Sequence, residues 1–207
     1  IGDLSTCVIR QAMEDARGWD QSLTISVNIS PVQLRDPWLA QKIVKLLVET
    51  GFPANRLEIE ITESSLFENL GLAQSIVASL KNQGIRLALD DFGTGYSSLA
   101  HLRALPFDRI KIDKSFVTSM VESSESAAIV NAITKLGDSL GLPITAEGIE
   151  DGMIEERLKE IGCHKGQGWH FGKPMTITQV RKLLADGSLL KLGHGGRPAA
   201  PSIDLPE

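Results

Sequence analysis

The chain has 207 residues, 42% of them hydrophobic and 23% charged, which is the balance of one globular domain able to bury a core. The net charge of -5 argues against a long nucleic acid, whose partners usually present a basic face, but allows a small phosphate ligand if metal ions supply the positive charge. The two cysteines, Cys7 and Cys163, are too few for a disulfide framework and lack metal-site spacing. With no apolar run of membrane-spanning length and no leader pattern, the expected setting is the reducing cytoplasm, with a membrane anchor elsewhere in a parent chain left open.

In chain order the pattern predicts helix and strand by turns. A helix over 4–17 precedes a strand over 23–29. A helix over 36–50, a strand over 57–62, a helix over 70–82 and a strand over 85–90 follow. Next come a helix over 97–104, a strand over 109–112, a helix over 125–140 and a strand over 143–146. A helix over 152–160, a weak strand near 165–171 and a helix over 178–185 complete the series. Gly51, Gly84 and Gly141 stand where helices should stop. Such alternation predicts parallel strands covered by helices. The domain is expected over 1–185. From Asp186 the composition turns to that of a flexible tail, 186–207. Pattern alone leaves a doubly wound open sheet and an incomplete (β/α)8 barrel both open, since only six strands are countable.

Residue parity favours the barrel, because side chains alternate across a strand. Ile25, Val27 and Ile29 share one face of the first strand, and Ser26 and Asn28 the other. Ile59 and Ile61 oppose Glu58 and Glu60, Leu87 and Leu89 oppose Asp90, Ile110 and Ile112 oppose Lys111 and Asp113, and Ile144 opposes Thr145 and Glu147. In an open sheet with helices on both faces these charges would be buried against apolar surface, at prohibitive cost. In a barrel they line the interior and converge at the C-terminal mouth, where active sites of this architecture lie. The competing reading is a set of structural ion pairs.

The converging groups are oxygen donors: the Asn28 amide and the carboxylates of Glu60, Asp90, Asp91 and Glu147. Hard oxygen ligands select Mg²⁺ or Mn²⁺ over zinc. Adjacent carboxylates at Asp90-Asp91 suit a two-metal site for phosphodiester hydrolysis, with Lys111 a further cation near the water or phosphate. The loop Asp91-Phe92-Gly93-Thr94-Gly95 is neither a dinucleotide fingerprint nor a Walker loop. His101 and His194 read as surface residues. His164 and His170 are candidates for the mouth. Trp169 and Phe171 are read as core residues in preference to base-stacking ones.

The motifs Val27-Asn28-Ile29-Ser30, Glu60-Ile61-Thr62-Glu63, Asp90-Asp91-Phe92-Gly93-Thr94-Gly95-Tyr96-Ser97-Ser98-Leu99, Lys111-Ile112-Asp113, Ala146-Glu147-Gly148-Ile149-Glu150 and Gln167-Gly168 resemble the EAL domain over about residues 1–176. The resemblance implies a (β/α)8 barrel hydrolysing cyclic di-GMP to linear pGpG with Mg²⁺ or Mn²⁺. By motif, Asn28, Glu60, Asp90, Asp91 and Glu147 resemble metal ligands. Lys111, helped by Gln167, resembles the residue that orients the attacking water. Glu63 resembles the anchor of the glycine loop, and Asp113 a substrate contact. The resemblance further implies a homodimer, and diguanylate cyclase or sensor domains in a parent chain. It places the Glu-Ala-Leu motif, a phosphate-holding arginine and two strands before Ile1, so the 207 residues alone are expected to turn over substrate weakly or not at all. The alternatives are a catalytically silent cyclic di-GMP receptor and a regulatory dimerisation module.

Overall fold

A computed structural model describes residues 2–95, 102, 105–163 and 165–187. It divides into two compact units, residues 1–173 and the stretch from Pro174. In the first unit the chain runs α1 (Gly2–Ala16), β1 (Ile25–Ile29), α2 (Pro31–Leu34), α3 (Leu39–Thr50), β2 (Leu57–Thr62), α4 (Glu63–Glu68), α5 (Leu70–Asn82) and β3 (Arg86–Phe92). It continues through β4 (Arg109–Ile112), α6 (Lys114–Ser119), α7 (Ser124–Leu140), β5 (Ile144–Glu147), α8 (Gly152–Glu160) and β6 (Lys165–Gln167). The second unit holds α9 (Ile177–Ala185), whose N-terminus carries a reciprocal cap between Thr176 and Gln179. The helix expected over 97–104, apart from Leu102, the residues Tyr96–Leu99, His101, His164 and His194, and the tail from 188 lie outside the described residues.

All six strands are parallel and neighbours in sequence are neighbours in the sheet, in the order β1 to β6. A doubly wound sheet reverses direction at a switch point. This order has none, so the six strands among the described residues form one arc of a (β/α)8 barrel and do not close it. The parity reading holds. Ile59, Ile61, Leu87, Ile110 and Ile112 face outward and are wholly buried. The helices cover that face with their own apolar stripes: Leu39, Ile43, Leu46 and Leu47 on α3, and Val130 and Ile133 on α7. Each fully buried aliphatic side chain contributes about 1.5–3 kcal/mol. The α3 and α7 helices end on Gly51 and Gly141, both in the left-handed conformation that lets the chain turn into the next strand.

Three short helices escape apolar periodicity because each is one or two turns long: α2, α4 and α6. Local chemistry specifies two of them. Ser30 accepts the backbone N–H of Gln33, and the Gln33 side chain returns to the Ser30 N–H, with Pro31 at the first helical position. Asp113 caps α6 by accepting the Ser115 N–H. No helix among the described residues is long and apolar enough to cross a membrane.

Candidate active site

The inward-facing polar residues form two tiers. In the lower tier Ser26 donates to Glu58 (3.0 Å), Arg109 lies 3.5 Å from the same carboxylate, and Arg109 Nη1 donates to Thr145 (3.4 Å). This tier is one structural ion pair with its hydroxyl partners, the competing reading of the polar face realised at one level of the barrel. The upper tier has a different balance. Lys111 Nζ sits 2.6 Å from Glu60, 3.2 Å from Asp90 and 2.6 Å from Glu147. Its side chain is only 4% exposed.

Burial lowers the Lys111 pKa, but the hydrogen bonds to Glu147 and Glu60 outweigh that and hold it above the ordinary lysine value. The ammonium is therefore charged at any physiological pH. Burial pushes Glu147 up, and the nearby Asp90 and Glu60 carboxylates add to this against the pull of Lys111. Asp91 is also raised, first by burial and then by repulsion from Asp90 and Asp113. Asp113 moves the other way: bonds from Ser115 overcome its burial and lower it.

Asp90 and Asp91 are adjacent in a strand, so simple alternation would send them to opposite faces. The structure resolves this with a register shift. Between β3 and β4 the partners run Leu89 with Ile110 and then Phe92 with Ile112, so β3 carries one extra residue at this point. Asp91 adopts φ 53°, a left-handed conformation unusual for a non-glycine residue. As a result Asp90, Asp91 and Glu147 each offer an oxygen, and all three lie within 4.8 Å of one another. Phe92 returns to the buried outer face.

The other predicted residues take definite places in the structure. Asn28 is exposed at the rim of β1 and pairs in register with Glu60. Gln167 ends β6 opposite Glu147. Glu63, 1% exposed, accepts the N–H groups of Gly93 (3.0 Å) and Gly95 (3.3 Å) through one carboxylate oxygen. Asp113 reaches Asp91 from the N-terminus of α6. His170 bonds Glu155 at 3.0 Å. Trp169 and Phe171 are not core residues: they are 61% and 42% exposed, because β6 is short and the turn after it lies on the surface.

Two close approaches escaped sequence reasoning. A Cβ on Gly168 would lie 2.1 Å from the Ile149 carbonyl oxygen, so the turn after β6 presses on the loop after Glu147. A Cβ on Gly148 would lie 2.6 Å from the Lys114 Cβ, so α6 is wedged against that same loop. The Gly residues of the Glu147-Gly148 and Gln167-Gly168 steps are the available signal, since glycine permits such contact.

Glu60, Asp90 and Glu147 surround one ammonium, Asp91 joins Asp90 and Glu147, and Asp113 adjoins Asp91. An all-oxygen, strongly acidic cluster of this kind suits hard divalent cations, and the donor set fits Mg²⁺ or Mn²⁺.

Residues 1–174 match the family model for the EAL domain. Protein y4lL of Sinorhizobium fredii is 41% identical over 188 residues, covering 91% of this chain and 23% of that protein. The bifunctional diguanylate cyclase/cyclic di-GMP phosphodiesterase MucR of Pseudomonas aeruginosa is 35% identical over 184 residues, 87% of this chain and 27% of MucR. The chain thus spans about a quarter of the length of the curated relatives it matches. Among solved structures, the PaMucR phosphodiesterase in complex with c-di-GMP superimposes with a TM-score of 0.83 at 34% identity, covering 86% of this chain and 74% of that one. The Klebsiella pneumoniae BlrP1 manganese/cy-diGMP complex gives 0.74 at 25% identity, covering 81% and 43%.

Proposed function

The chain belongs to the EAL domain family, and from that premise we propose that its site hydrolyses cyclic di-GMP to linear pGpG with two divalent cations. The observation that carries this reading is the gathering of the Asp90, Asp91 and Glu147 oxygens within 4.8 Å, beside a buried Lys111. Asn28, Glu60, Asp90, Asp91 and Glu147 would hold Mg²⁺ or Mn²⁺. When bound, the ions supply Lewis acidity to the phosphoryl oxygens and the attacking water.

The chain's own residues do the rest. Lys111, permanently charged, orients the water and faces charge developing on the phosphate. Gln167, opposite Glu147, helps position that water. Glu63 ties the Gly93–Gly95 segment down, which fixes the backbone on which Asp91 stands. Asp113 contacts substrate from the α6 cap. This reading carries with it a cytoplasmic reaction, a homodimer, and a parent chain with diguanylate cyclase or sensor domains, as in MucR by name.

The test is turnover of cyclic di-GMP by the full-length protein in Mn²⁺, followed by chelation. Formation of pGpG that stops with EDTA is expected. Tight binding of cyclic di-GMP in Mn²⁺ with no product would make the protein a receptor instead.

A further inference from the structure

The lower tier carries more positive charge than its one ion pair uses. Alternation puts Glu58, Arg86, Arg109 and Lys165 on the inward face of their strands, with the same parity as Glu60, Asp90, Lys111 and Gln167. Register brings them level: Glu58 is the partner of Arg86, and Thr145 that of Lys165. Three cations therefore share the N-terminal end of the strands with one carboxylate. Glu58, 4% exposed, is occupied by Ser26 and Arg109. Asp108, next to Arg109 in sequence, is taken by Lys81 and by the Leu87 N–H. Arg86 and Lys165 are exposed and have no hydrogen-bond or ion-pair partner among the described residues. Arg109 Nε is buried and makes no hydrogen bond, although Glu58 lies 3.5 Å away. Desolvation, and then repulsion from Arg109 and Arg86, hold the Lys165 ammonium below the ordinary lysine value against the pull of Glu58.

Like charges gathered in this way repel one another, and an anion placed among them relieves the repulsion. Guanidinium and ammonium groups only donate hydrogen bonds, so they suit a ligand whose oxygens only accept. Charge-assisted bonds of this kind are the strong ones, and arginine matches the geometry of a phosphate. Three cations against the single Glu58 carboxylate leave two positive charges, which a dianion neutralises. We propose that Arg86, Arg109 and Lys165 form a binding site for a phosphate dianion at the N-terminal end of the strands, one tier below the acidic cluster. The site needs no metal and is independent of turnover.

Calorimetry of the full-length protein in EDTA at pH 8 tests it, since chelation removes any metal through which phosphate could bind at the acidic cluster. The probes are inorganic phosphate and glycerol 3-phosphate, a phosphomonoester without a base. Saturable binding that weakens as salt is added is expected. Binding of both probes marks a site for terminal phosphates, and binding of inorganic phosphate alone restricts it to the free ion. Lys165→Met and Arg86→Met, at exposed positions that leave the Glu58–Arg109 pair in place, should each weaken binding about tenfold. Lys42→Met, which removes the same charge from α3, should leave it unchanged. No saturable binding by the wild type overturns the proposal. So does wild-type affinity in both the Lys165 and the Arg86 variants, or an equal loss in the Lys42 variant.

Discussion

Replacing Lys111 with methionine removes the ammonium that lies within 2.6–3.2 Å of Glu60, Asp90 and Glu147. The partners are nearly as buried as the lysine: their side chains are 6%, 9% and 17% exposed. Breaking a buried charge pair from one side costs about 3–5 kcal/mol, because the remaining charge is left uncompensated. Glu147, already displaced upward, can take a proton and relieve part of this, which points to the lower end, about 3 kcal/mol. For a domain of this size that corresponds to a melting point lower by roughly 6–12 °C. The assay is thermal unfolding of wild type and Lys111→Met, each in EDTA and in Mn²⁺. Divalent ions return positive charge to the same carboxylates, so the gap between the two proteins should close substantially in Mn²⁺, while turnover stays lost. Equal melting points in EDTA would refute the reasoning. So would a gap that Mn²⁺ leaves unchanged, since the carboxylates would then not be the metal's ligands.

Protons should compete with metal at Asp91 and Glu147, both held above the ordinary 3.8 of aspartate and 4.5 of glutamate. Mn²⁺ affinity, followed by calorimetry, should therefore weaken as pH falls, starting above the usual carboxylate range. The metal-free protein has the opposite sign: carboxyls raised on folding stabilise it below their unfolded values, and that contribution fades as pH rises through the folded ones. Arg56→Met should cost about 3 kcal/mol in denaturant unfolding while Mn²⁺ affinity stays within about twofold. Its buried guanidinium donates to the carbonyls of Leu23 (2.8 Å) and Ala16 (3.0 Å), far in role from the mouth. Gly168→Ala should lower kcat/KM for cyclic di-GMP by roughly tenfold or more, by lifting the β6 turn off the loop after Glu147. An alanine variant with wild-type kinetics would show that this contact does not position the site.

The sheet was legible wherever one face of a strand is apolar and the other polar. Residues such as Ile59 with Glu60, and Ile110 with Lys111, declare both the strand and the direction of its functional side chain. The choice of barrel over open sheet also came from those charges, and the uninterrupted strand order agrees with it. Asp91 marks the limit. Its approach to Asp90 depends on an extra residue in β3 and a left-handed backbone, and alternation contains neither. The short helices α2 and α6 are invisible to periodicity, although Ser30-Pro31-Val32-Gln33 and Asp113 spell out their caps. The two-tier division was hidden for another reason. Glu58 and Glu60 are the same residue type on the same face of one strand, and only their partners, Arg109 below and Lys111 above, separate a structural ion pair from a site. The placement of Trp169 in a core failed because β6 has only three residues, all exposed, and cannot bury the turn that leaves it.

The central question is whether these carboxylates run phosphodiester hydrolysis. The most direct measurement is the product formed from cyclic di-GMP in Mn²⁺ by the full-length protein and by its Glu60→Ala variant. The wild type should yield pGpG, and turnover should be at least roughly a hundredfold slower once Glu60, bonded to Lys111 at 2.6 Å, is removed. Near-normal hydrolysis by the variant would contradict the assignment of Glu60 and its neighbours as the catalytic metal site.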